Sequence, residues 1–435
     1  MGNPKHNSLP VCQLTRIQQM VDELNFPGRG TDEHVPFWID TLCVPVRHKH
    51  KQFRKLCIVN MRNIYEQAAA VLVLDSGLQK IPLSAPAPER CIRVHQSIWQ
   101  RRLWTFQEGF LAPELYYRFS DRSEYFRDLV NDSRKYEDDL QAQGQYISFT
   151  RWAEGKASAH FTLVKALIWR IKTGAQDESS RFLVFLPLTE ALRPRKTSRA
   201  SDETLCAATI LGIDPTPFLE LQEKDDQSLW SWFVSLWSKS ADIGQKQLAD
   251  QRLADRRMEL FLQYIGQFPS GIIFNRLPRL QRDGYRWAPR SLMGGRPNDI
   301  GDLSAQGQYG QMCKSGEFVG LSVRYPGFRL GTVASHFGIR IVVADGDARY
   351  DVQLSPDENG AYPVWEGKLQ YCLVMVRAPS ELNADGSLAI LGSRNQRDGF
   401  ELRYECRAWV ELLMEEVDGD VLGEPLAAET FWVIK

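Results

Sequence analysis

The residues best suited to chemistry crowd into one short stretch. SIWQRRLWTFQEGF, residues 97–110, holds two tryptophans, two arginines and a glutamate. On a continuous helix, Trp99, Leu103, Phe106 and Phe110 form an apolar stripe, while Ser97, Arg101, Trp104 and Glu108 share another face at spacings of four, three and four. Glu108 then lies beside an indole and a guanidinium. It is either a working carboxylate at a pocket mouth or one half of a Glu–Arg pair that holds the helix, and structural pairs of that kind are common. Asp40 is the second candidate. It closes the apolar run VPFWID, and open α/β sheets bind ligands at the carboxyl ends of their strands. Spacing alone leaves open whether Asp40 and Glu108 converge.

Other constellations carry less. Cys43, His48 and His50 form a Cys-x4-His-x-His run that matches no common zinc spacing, and RHKHK reads as a basic surface loop. No metal site is expected. The chain contains no P-loop, no G-x-G-x-x-G after a strand, no H-E-x-x-H and no G-x-S-x-G.

The elements that must position Glu108 and Asp40 read as alternating helix and strand. Leu14, Ile17, Val21 and Leu24 make a helical stripe, and VPFWID a buried strand. Phe53, Cys57, Met61, Ile64, Tyr65 and Ala68 line one face of a second helix. AVLVLD (70–75) is a continuous apolar run of the kind found inside parallel sheets. Ser97 with Gln100 forms a candidate capping box, Pro113 ends that helix, and ELYYRF (114–119) is a further strand. The expected fold is α/β: a parallel sheet flanked by helices over residues 1–125, with its first strand missing from the chain. Residues 126–268 read as mostly helical, with HFTLVKALIWRIKTG, DDQSLWSWFVSLWSK and RRMELFLQYIGQF as the main segments. Residues 269–435 read as a β-rich domain of antiparallel strands, a sheet or small barrel.

Composition narrows the function classes. At 435 residues the chain is long enough for two or three domains. Its formal net charge of −1 offers no global basic field for nucleic acid. The eight cysteines include no CxxC pair, which fits reduced thiols in a cytoplasmic protein. No apolar run reaches membrane-spanning length; AAAVLVL and FLVFLPL are strand-sized.

Three ordered blocks resemble a known family. FWIDTLCVPV, MRNIYEQAAAVLVLD and RRLWTFQEGFLAPELYYRF are similar to the HET (heterokaryon incompatibility) domain of filamentous fungi. The family pattern is Trp-Ile-Asp-x-Leu-Cys, then Met-x-x-Ile-Tyr-x-x-Ala, then Arg-x-Trp-Thr-x-Gln-Glu. It falls on Trp38, Ile39, Asp40, Leu42 and Cys43; on Met61, Ile64, Tyr65 and Ala68; and on Arg102, Trp104, Thr105, Gln107 and Glu108. The family's opening Tyr-x-Ala-Leu-Ser-Tyr-x-Trp-Gly segment has no counterpart, in keeping with the missing first strand.

The resemblance implies a TIR-like fold and a role in non-self recognition and programmed cell death, controlled by a protein partner or by self-association. Catalytic TIR domains carry a glutamate four residues after a tryptophan, and Trp104 and Glu108 keep that spacing. The resemblance thus implies NAD as a candidate substrate, with no resident cofactor. Glu108 would be the catalytic carboxylate, Trp38 or Trp104 would stack on a ring, Arg101 or Arg102 would meet phosphate, and Asp40 would join the ligand site. The alternative is a non-catalytic scaffold that uses the same surfaces to assemble.

Overall fold

A computed structural model describes residues 7–24, 34–45, 47–144, 179–226, 242–294, 309–315, 318–331, 339–357, 360–382, 386–395, 401–414, 421–427 and 430–435. The chain divides into two compact units, one comprising Met1–Gly174 and Pro187–Arg257, the other Ala175–Leu186 and Met258–Lys435.

The first unit opens with helix α1 (Val11–Asp22), which buries Met20 and Val21. A helical turn, α2 (Asp40–Cys43), precedes helix α3 (Lys51–Gln67). Strand β1 (Val71–Val73) leads through α4 (Ala87–Gln96), α5 (Ile98–Arg101) and α6 (Trp104–Leu111) to β2 (Leu115–Arg118). β1 and β2 are parallel, Val71 opposite Leu115, as the apolar runs AVLVLD and ELYYRF require. β3 (Ser123–Tyr125) adds to β2 in the antiparallel sense, so the sheet is small and mixed, in the order β1-β2-β3. Under it lies an apolar core of Val73, Leu78, Val94, Trp99, Tyr117, Phe119 and Leu129. Helix α7 (Phe126–Ala142) follows.

VPFWID is not a strand. Residues 34–39 run without a ladder partner, Ile39 is extended, and Asp40 begins α2 exposed to solvent. The reason is local. The Asp22 carboxylate takes the Val35 N–H at 2.8 Å, and the Gln18 amide donates to the Val35 carbonyl at 2.8 Å. Side chains of α1 thus satisfy backbone groups that a sheet would otherwise pair. The His34 ring is 2.6 Å from the same carboxylate, and with the Val35 bond it pulls Asp22 down to about 2.

Beyond α7, the described helices are α8 (Ser179–Leu192), α9 (Asp202–Leu211), α10 (Thr216–Asp226) and α11 (Asp242–Ile265). FLVFLPL lies inside α8, with Pro187 in the helix, and RRMELFLQYI lies in α11. HFTLVKALIWRIKTG and most of DDQSLWSWFVSLWSK lie outside the described residues. No described helix is long and apolar enough to cross a membrane.

The second unit is built on strands β4 (Gln267–Pro269), β5 (Tyr309–Ser315), β6 (Phe318–Arg324), β7 (Gly327–Leu330), β8 (Arg340–Asp345), β9 (Ala348–Leu354), β10 (Gln370–Met375), β11 (Ser387–Arg394), β12 (Glu401–Leu412), β13 (Val421–Leu426) and β14 (Phe431–Ile434). GIIFNRL, read as a strand from sequence, is instead mostly a 3-10 turn, Ser270–Phe274. The order β11-β10-β7-β13-β8-β9-β12 closes on itself because β11 also pairs with β12, making a barrel. Strand β12 shows the cause: Leu402, Tyr404, Cys406, Ala408 and Val410 alternate inward. Cys406, Ala408 and Val410 join Phe328, Ile341, Val352, Leu373 and Leu391 in a packed interior. β14, β6, β5 and β4 extend the sheet from β12.

Candidate functional site

The stretch 97–110 does not form one helix. Ser97 ends α4 and caps α5, its Oγ accepting the Gln100 N–H at 3.2 Å. The second half of the expected capping box is absent, because the Gln100 side chain turns to the Tyr117 hydroxyl at 3.2 Å. Arg102 then adopts an extended backbone and α6 restarts at Trp104. The break is held from the segment after α8. Lys196 N–H donates to the Arg101 carbonyl at 2.7 Å, Leu103 N–H donates to the Lys196 carbonyl at 3.0 Å, and the Arg195 guanidinium donates to the Arg102 carbonyl at 2.9 Å.

That break creates the site. Nine residues of continuous helix span about 13.5 Å and half a turn of net rotation, so Trp99 and Glu108 would point apart. With the break, the Trp99 indole N–H donates to Glu108 Oε2 at 3.1 Å. Trp99 is itself fixed from the end of β1. Asp75 accepts its backbone N–H at 3.2 Å while also binding Gly77 N–H at 2.7 Å, and the indole stands edge-on to Tyr117 at 5.9 Å.

Among the described residues, the donor to the Glu108 carboxylate is Trp99, and no guanidinium lies within ion-pair distance of it. Glu108 is therefore not half of a Glu–Arg clamp. Burial pushes its carboxyl above the ordinary range; the Trp99 bond and the positive charges of Arg102 and Arg195 pull it back, and Asp40 pushes it up. Tyr65 feels the same field. Burial raises its hydroxyl, Glu108 and Asp40 raise it further, and Arg102 lowers it. Trp38 meets the Tyr65 ring edge-on at 5.7 Å. Asp40 and Glu108 thus belong to one electrostatic neighbourhood, with Tyr65, Arg102 and Trp38 around them. Asp40 holds its own turn, accepting the Thr41 N–H at 2.6 Å.

Two sequence candidates go elsewhere. Trp104 donates its indole N–H to Asp202 at the start of α9, at 3.0 Å, and Arg101 donates to the Gln96 carbonyl at 2.8 Å. Arg102 is exposed, and its guanidinium has no hydrogen-bond partner among the described residues, which suits it to an anionic group.

Sequence reasoning missed Trp99, Tyr65 and Arg195 as members of this neighbourhood. Trp99 and Tyr65 read as core on helical stripes. Arg195 is buried over the Phe106 ring at 4.5 Å, and burial lowers it to about 10. Nothing near Arg195 in the chain signals that role. Gln107, beside Glu108, is fully buried with neither side-chain amide atom hydrogen-bonded.

No protein-family model matches the chain, and no curated protein and no solved structure is significantly similar to it.

Proposed function

We propose that this chain is a fungal heterokaryon incompatibility protein, acting in the cytoplasm in non-self recognition and cell-death signalling. Its first unit would be a HET domain of TIR-like kind, with Glu108 as the carboxylate of an NAD-cleaving site. The observation that carries the reading is the Trp99–Glu108 contact. A partly buried carboxylate held by one indole N–H and paired with no arginine is left able to bind a substrate, and its carboxyl lies above the ordinary range as those of functional carboxylates often do.

In such a reaction the bond between nicotinamide nitrogen and ribose carbon breaks. Its electron pair leaves with nicotinamide, positive charge builds on the ribose, and water then attacks that carbon. Glu108 would bind the ribose hydroxyls and stabilise the cation. Arg102, exposed beside it, would meet a phosphate, and Trp38 would offer a ring face. Trp104 and Arg101, engaged elsewhere, would keep the helix break in place.

The test is to incubate the purified full chain with NAD and measure nicotinamide release. Turnover that falls at least about 100-fold in Glu108→Gln supports the reading. No release at high protein concentration, or an unchanged rate in the variant, removes the enzymatic role and leaves a scaffold that assembles with a partner or with itself.

A further inference from the structure

We propose that the loop before α3 and the first turns of that helix form a docking surface for an anionic phospholipid membrane. Between Thr41 and Tyr65 there is no Asp or Glu, yet the segment carries Arg47, Lys49, Lys51, Arg54, Lys55 and Arg62. This run of one sign stands in a chain whose 53 Lys and Arg are matched by 54 Asp and Glu. Arg62 is committed inward, to Glu66 and to the Thr209 and Ile210 carbonyls. Arg54 donates to the Pro45 carbonyl at 2.6 Å and is half-buried, as is Lys55, so Arg47 and Lys49 of the loop supply the exposed charge.

The apolar part adjoins that loop. Sequence periodicity puts Phe53 on the buried face of α3, but the structure turns it outward, 61 % exposed, with Leu56 at 57 %. These two share the outward stripe of α3 with Gln52, Asn60, Asn63 and Gln67, all exposed and uncharged. The Phe53 ring lies 6.1 Å from the His50 ring, which ties the apolar pair to the basic loop.

Charge and apolar exposure together select the occupant. A nucleic acid would satisfy the cations and could stack on Phe53, but it offers nothing to Leu56. An acidic protein would need a shaped pocket for two side chains on a convex helix. A bilayer with anionic headgroups supplies negative charge over a wide area and an acyl boundary for Phe53 and Leu56, with no shape requirement. This is surface attachment, separate from any reading of Glu108.

The experiment is sedimentation of the full chain with vesicles of phosphatidylcholine alone or of phosphatidylcholine mixed with phosphatidylserine. The expected result is partition onto the mixed vesicles only, weakened by salt. Lys49→Glu should lower the partition at least about five-fold. Phe53→Ser combined with Leu56→Ser should lower it at least about ten-fold while the urea midpoint stays unchanged, since both side chains are already exposed. Equal partition onto the two vesicle types, undiminished binding by the double-serine variant, or tighter binding to duplex DNA or polyglutamate than to the mixed vesicles would each overturn the proposal.

Discussion

Trp99→Phe isolates the contact on which the candidate site is built. Phenylalanine keeps an aromatic ring against Tyr117 and removes the indole N–H that reaches Glu108. A hydrogen bond to a charged group contributes about 1.5–3 kcal/mol, and one to a neutral group about 0.5–1.5 kcal/mol. The substitution should therefore destabilise the protein by about 1 kcal/mol more where Glu108 is ionised than where it is protonated. The lost apolar area adds a constant at every pH.

The sign follows from the direction of the shift. Burial raises the Glu108 carboxyl, so its contribution to folding is most favourable below the ordinary carboxylate range and declines as pH rises through the folded-state value. Removing a donor that favours the ionised form raises the carboxyl further and steepens that decline. Urea denaturation of wild type and variant from pH 4 to pH 9 reads it directly: the deficit of Trp99→Phe should widen with pH. In the Glu108→Gln background the pH-dependent part should vanish. A deficit that is the same at every pH, in both backgrounds, would show that Trp99 acts through packing alone and that Glu108 owes its setting to something else.

Two further substitutions test other parts of the structure. Gln107→Met, close in shape and without polar atoms, should raise stability by about 1 kcal/mol or more, since the amide is buried without partners; a comparable loss in the urea midpoint would mean that the amide is bound to water or ligand. Gly327→Ala should cost about 3 kcal/mol or more in the same measurement, because a Cβ there would strike the Leu373 carbonyl oxygen across the β7–β10 pairing; a loss under about 1 kcal/mol would show that the barrel relaxes at that edge.

What could be read from the sequence follows what is periodic. β12 alternates without interruption, and α1 keeps its stripe, so both are plain in the residues. The parallel pairing of β1 and β2 follows from two apolar runs bracketing a helical stretch. VPFWID misleads because apolar content suggests a strand, whereas its ladder partners are pre-empted by Asp22 and Gln18. The site shows the same split. Glu108 and Asp40 are visible as carboxylates beside aromatics. Their environment is not, because it depends on a helix break held by Arg195 and Lys196, more than ninety residues away.

The arginines carry that lesson furthest. From sequence, Arg101 and Arg102 look like the working cations because they adjoin Glu108. The structure instead buries Arg195, Arg257 and Arg279 among backbone carbonyls to which each donates: Arg195 to Ala191 and Arg102, Arg257 to Phe218 and Ser201, Arg279 to Ile273, Asn275, Arg286 and Trp287, whereas the equally buried Arg90 and Arg118 pair with carboxylates. A guanidinium has five donors in a fixed fork, so one side chain can satisfy several carbonyls where helices break or turns meet. Arg279 also lies 4.0 Å over the Tyr404 ring. Burial lowers all three, which is the penalty for placing a cation away from water, and the carbonyl contacts offset it. Because Arg195 is occupied in this way, its charge reaches Glu108 only as a field and forms no ion pair with it. The same residue that holds the helix break in place thus leaves the carboxylate unclamped, with the Trp99 indole as its donor among the described residues.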